Sequence, residues 1–127
     1  MHIIEDLERK LEQLLKEPGN PHLFNQIGVL LYEVEDWQSA NVYFQRGYEL
    51  SPQDQDILYN YAALLYQQAQ WQQAIPIYQA YLEAQPEDKE VLQRVGDIYY
   101  LLGEYEEAGK KYLRAGSQKS VEKDIRR

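Results

Sequence analysis

Apolar residues three and four positions apart run through the chain in groups, and each group predicts an amphipathic helix. Phe24, Ile27, Leu30, Leu31 and Val34 form one such face, followed by a short polar turn. The spacing recurs at Leu58, Tyr61, Ala62 and Leu65, and again at Leu92, Val95, Gly96 and Tyr99. After each turn a second helix is expected to open just beyond an aromatic residue, Trp37, Trp71 or Tyr105. Upstream, IIEDLERKLEQLLKEP places Ile3, Ile4, Leu7, Leu11, Leu14 and Leu15 on one side of a further helix that ends at Pro18. At the other end, SQKSVEKDIRR offers Ser117 or Ser120 as an N-cap and only Val121 and Ile125 as an apolar seam, which predicts a short helical tail. No segment alternates as a strand would.

Pro76 sits inside one of these helices, in WQQAIPIYQAYLEAQP, although proline lacks a backbone N–H and disrupts a helix interior. Ala74, Tyr78, Tyr81 and Leu82 keep helical spacing across it. A helix opening near Gln72 would put Pro76 beside the first turn, whose N–H groups have no partner within the helix. Packed neighbours on both sides would hold the kink.

The helices repeat. Pro18, Pro52 and Pro86 are 34 residues apart, and the same step links Trp37, Trp71 and Tyr105, then Ala40, Ala74 and Ala108, then Phe44, Tyr78 and Tyr112. These residues resemble the tetratricopeptide repeat family, whose signature has this period and this order of aromatic, alanine, aromatic and proline. The resemblance covers about residues 21–120; its departures are mild, Ala62 in place of the second glycine and Ser120 in place of the last proline. It implies an all-α, right-handed solenoid of three repeats, at residues 21–54, 55–88 and 89–116, with a capping helix at 1–17 and a short basic tail at 117–127. Ala40, Ala74 and Ala108 are expected to face Gly28, Ala62 and Gly96, letting paired helices approach closely. The N-terminal helix is expected to cover the apolar end of the first repeat; the alternatives are a homodimer surface or a helix lying in the groove.

Charge and composition narrow the function. A net charge of −8 argues against nucleic acid, whose phosphates require a basic face. Residues 110–127 hold seven of the thirteen Lys and Arg against Glu122 and Asp124, which reads as a solvated basic end. Cysteine is absent, which removes disulfides, thiolate metal sites and cysteine nucleophiles. The charged start MHIIEDLERK carries neither a secretory signal nor a membrane span, so a cytoplasmic protein without a membrane partner is expected. His2, near the terminus, and His22, read as lying in an interhelical turn, are too far apart to share a metal. Glu106 and Glu107 beside a lysine pair read as helix-start charges. No catalytic constellation, cofactor or metal is therefore expected, and the chain reads as a non-enzyme.

What remains is surface. The resemblance implies a concave channel lined by the first helix of each repeat, where Asn25, Val29, Tyr32 and Glu33, then Asp56, Tyr59, Asn60, Ala63, Tyr66 and Gln67, then Glu90, Gln93, Arg94, Asp97, Tyr100 and Leu101 would face a partner. Tyr32, Tyr66 and Tyr100 repeat at 34 and predict a ladder of amphipathic rings. Arg94 lies four and three residues from Glu90 and Asp97, which predicts a local ion pair. Relatives that clamp the carboxyl-terminal tail of heat-shock chaperones use two lysines that are missing here: of Asn25, Val29, Asn60, Glu90 and Arg94, only Asn60 and Arg94 match. That tail is therefore not the expected partner. The resemblance implies a non-catalytic protein-interaction module, an adaptor or assembly scaffold that takes a partner peptide or helix in its groove. A small secretion-type chaperone holding an unfolded client is the alternative, as is a domain of a larger protein.

Overall fold

The computed structural model describes residues 2–116 of the 127. The tail expected at 117–127 lies outside the described residues. Among the described residues seven helices follow one another: α1 His2–Lys16, α2 Pro21–Glu33, α3 Trp37–Leu50, α4 Gln55–Gln67, α5 Trp71–Ala84, α6 Lys89–Leu101 and α7 Tyr105–Arg114. Consecutive helices pack as antiparallel hairpins, α2 on α3, α4 on α5 and α6 on α7, and α1 packs on α2. The result is an all-α tetratricopeptide-type solenoid.

Side-chain caps explain where the helices begin. Asn20, Asp54 and Asp88 accept from the backbone N–H of His22, Ile57 and Val91 at 3.0, 3.0 and 3.2 Å, opening α2, α4 and α6. His22 is thus the second residue of α2 rather than part of a turn; its Nδ1 lies 3.9 Å from Asp54 Oδ2. Asp36 caps α3 through the Ser39 N–H at 3.2 Å, whereas Gln70 and Glu104 make no side-chain cap for α5 and α7. The second helices start on the aromatic itself, at Trp37, Trp71 and Tyr105, and not beyond it.

The turn inside each repeat uses a left-handed residue at the same place, Glu35 (φ 64°), Ala69 (φ 59°) and Gly103 (φ 82°). The following N–H groups reach back to the end of the first helix, as Asp36 to Leu31 at 2.9 Å, Gln70 to Leu65 at 2.8 Å and Glu104 to Tyr99 at 2.8 Å. The turn is so well bonded that only its third copy uses glycine.

Close approach within a repeat rests on a ring over a glycine. A Cβ on Gly28 would lie 2.6 Å from the Phe44 ring, and one on Gly96 would lie 2.6 Å from the Tyr112 ring. The small alanines expected opposite these glycines are buried, but the aromatic four residues later makes the nearest contact. Leu64 of α4 joins the first-repeat core of Ile27, Leu31, Ala40 and Phe44, so the repeats share apolar residues instead of merely touching.

Two expectations change. Only Leu7 and Leu14 of α1 pack against that core, while Ile4, Leu11 and Leu15 stay exposed, Leu15 at 84%. The six aliphatic residues span a wider arc than one packing face, because a neighbouring helix covers only the side turned towards it. Pro76 is the sixth residue of α5, past the unpartnered first turn, and it denies the Gln72 carbonyl its usual donor. Both residues are exposed, so water can satisfy that carbonyl, while Ala74, Ile77, Tyr78 and Leu82 bury the opposite side.

Candidate functional site

The first helices α2, α4 and α6 wall a cleft of about 370 Å³. Its lining brings together Val29, Tyr32, Glu33, Tyr59, Asn60, Ala63 and Arg94 of the residues expected in the channel, with Phe44 from α3. Asn25 stands at one end, where its Oδ1 accepts from Asn60 Nδ2 at 3.0 Å and ties α2 to α4. Val29 and Asn25 also line a neighbouring cleft of about 400 Å³ together with Asp6, Arg9 and Lys10 of α1. The N-terminal helix thus extends the walls of the channel.

Arg94 is the organising side chain. Its guanidinium lies 5.7 Å from the centroid of the Tyr59 ring and 5.4 Å from that of Tyr66, within cation–π range of both. Nη1 donates to the Tyr78 hydroxyl at 3.0 Å and Nη2 to Glu90 Oε2 at 3.3 Å. Glu90 also accepts from the Tyr59 hydroxyl at 2.9 Å through its other oxygen. Burial works against the charged guanidinium, but the Tyr78 hydroxyl and the neighbouring Tyr59 and Glu90 outweigh it, so Arg94 is held above its ordinary value. With its side chain 27% exposed, it presents a permanent, partly dehydrated positive charge to the cleft.

The predicted local ion pair forms with Glu90, while Asp97 Oδ1 accepts from the Tyr112 hydroxyl. That hydroxyl, like the one on Tyr78, sits at the far end of a core ring. Phe44 occupies the same place in the first repeat without a polar end. Tyr78 and Phe44 are the residues that sequence reasoning missed at this site, because second-helix aromatics read as core. The signal was the change from phenylalanine to tyrosine along the 34-residue step: a hydroxyl on a buried ring needs a partner.

Each tyrosine of the expected ladder packs against the aromatic that opens the second helix of its own repeat. Tyr32 meets Trp37, Tyr66 meets Trp71 and Tyr100 meets Tyr105, all edge-on, with centroids 5.0, 5.5 and 5.1 Å apart. Each ring therefore clasps the start of its own second helix and offers only its remaining surface. Gln67 is exposed at the last position of α4, and Gln93 on α6 has a buried Nε2 without a hydrogen-bond partner. Gln67, Gln93, Asp97 and Tyr100 lie outside the lining of the Arg94 cleft. Among the described residues no three His, Asp or Glu side chains converge as a metal site, and no helix is long and apolar enough to cross a membrane.

Comparison with known proteins matches this architecture. A tetratricopeptide repeat family profile matches residues 31–93. No curated protein sequence matches the chain. Among solved structures, MamA from Desulfovibrio magneticus RS-1 (residues 41 to the end) superposes with a TM-score of 0.82 at 25% identity over 89% of this chain. A MamA RS-1 double mutant gives 0.84 at 24% identity. The chain spans 64% of the length of each of these two MamA structures. YrrB, described as "a TPR protein with an unusual peptide-binding site", aligns over 76% of this chain and 50% of its own, with a TM-score of 0.68 and 24% identity. Three repeats in one register, stacked helix hairpins and these likenesses agree: the chain is a solenoid of tetratricopeptide type, and its residues 31–93 match the tetratricopeptide repeat family.

Proposed function

We propose that the chain is a non-catalytic scaffold or adaptor that holds an extended or helical segment of a protein partner in the cleft formed by α2, α4 and α6. One observation carries this reading: helices from all three repeats converge on a single half-buried cation, Arg94, flanked by the rings of Tyr59 and Tyr66. A partner carbonyl or acidic group can bond the guanidinium at small cost, since the Glu90 pair is exposed enough to exchange. The Asn25–Asn60 amide pair supplies further donors and acceptors for a backbone. The peptide-binding site named for YrrB supports the same use of the fold.

Photocrosslinking from a residue placed at Ala63, followed by affinity measurement on the captured protein, tests it. Ala63→Arg fills the cleft from a position outside the buried core and is expected to weaken binding at least tenfold, about 1.4 kcal/mol, with an unchanged melting temperature. Normal binding by Ala63→Arg, with loss on substitution of the outer faces of α3 or α5, would place the partner elsewhere.

A further inference from the structure

A third cleft, of about 580 Å³, lies at the edge where the turn of the first repeat and the start of α3 meet the end of α4 and the start of α5. It falls within the size range of small-ligand sites and shares no lining residue with the Arg94 cleft. Trp37 and Leu65 supply its apolar part, and the carboxamides of Gln38, Asn41, Gln68 and Gln73 line much of the rest.

Three observations define its chemistry. First, the lining holds no basic side chain, so an anion would find no countercharge. Its formal charge is Asp36, which already caps α3 through Oδ1. Second, Asn41 Oδ1 is buried without a hydrogen-bond partner, a state that costs stability until a donor arrives. Third, the sequence from Ile57 to Leu82 contains no Asp, Glu, Lys or Arg in a chain that is 27% charged, and the exposed side chains at positions 67–73 are glutamines and Ala69. An acidic chain that carries charge on its other repeats lines this cleft with carboxamides and the capping Asp36.

A carboxamide presents one acceptor oxygen and two donor N–H groups, the same functions as the peptide group it would pair with. The Trp37 ring is already engaged within the fold by Tyr32, 5.0 Å away and edge-on. We propose that this edge cleft binds an extended, uncharged peptide segment through the segment's main-chain amides, independently of the groove.

Panning a phage-displayed library of short random peptides on the full chain, with calorimetry on the recovered peptides, tests the proposal. The expected peptides are poor in charged residues and lose binding on backbone N-methylation. They bind at least tenfold more weakly to Gln68→Ala/Gln73→Ala, whose two sites are exposed and leave folding intact. Asn41→Leu, which removes the unpartnered acceptor, weakens them likewise without lowering the melting temperature. Ala63→Arg leaves them unaffected. Recovery of only charged peptides, tolerance of N-methylation, or loss with Ala63→Arg but not with the edge variants would overturn it. So would a library that yields no binder, or one that fails while a panel of neutral oligosaccharides binds.

Discussion

Arg94 of α6 donates through Nη1 to the hydroxyl of Tyr78 on α5 at 3.0 Å, so the cation lining the cleft is anchored by a ring of the hydrophobic core. Binding and stability are therefore coupled at this position. Arg94→Ala leaves the inward-facing hydroxyl without its partner and is expected to lower stability by about 1–3 kcal/mol, besides weakening partner binding. Tyr78→Phe removes the hydroxyl alone and is expected to cost about 1 kcal/mol. Urea denaturation of both single variants and the double variant gives the coupling, expected at about 0.5–3 kcal/mol. Additive losses would mean the bond is not made.

The ring-on-glycine contacts predict a sharp steric response. Gly28→Ala and Gly96→Ala push a methyl group to 2.6 Å from Phe44 and Tyr112, and each is expected to cost about 1–3 kcal/mol despite the better helix propensity of alanine. Ala74→Leu, at a position with 0% exposure in the central repeat, is expected to fall in the same range. Thermal melts that match the parent would rule out this packing.

Adjacent leucines in α1 separate its buried side from its open one. Leu14 packs on the first-repeat core, and Leu14→Ala is expected to destabilise by about 1–2 kcal/mol for the apolar area lost. Leu15→Ser, at a side chain 84% exposed, is expected to change stability by less than about 0.5 kcal/mol. Equal effects in chemical denaturation would show that α1 is seated differently. If Leu15→Ser instead dissolves a dimer in sedimentation, the open side is an interface.

Two tyrosines set an alkaline limit. Burial pushes the Tyr78 hydroxyl up to about 12, and the bond donated to Asp88 at 2.6 Å, with burial, pushes Tyr81 up to about 12. The folded chain thus favours the protonated rings. Their contribution is complete below the ordinary tyrosine value of 10.0 and is lost as the pH rises through about 12. Phenolate absorbance is expected to show late-titrating tyrosines whose ionisation coincides with loss of helical circular dichroism. Tyr81→Phe removes its share of this loss, and a parent chain that ionises every tyrosine together while still folded would contradict the assignment.

The helices, their order and the period of 34 were legible in the sequence because each depends on local chemistry: apolar spacing at the helical period, capping Asn and Asp residues, and prolines that stop a helix. Most of the cleft was legible too, because the family resemblance implies a channel along the first helices and the helical period then assigns residues to that face. Val29, Tyr32, Tyr59, Asn60, Ala63 and Arg94 meet for that reason. What passes between helices was not legible. That Asp97 accepts from Tyr112, which side of α1 finds a neighbour, and whether Pro76 falls on an exposed side are each decided by where another helix lies. A helical period assigns residues to faces. Only packing decides which face is covered and which of several partners within reach wins the hydrogen bond.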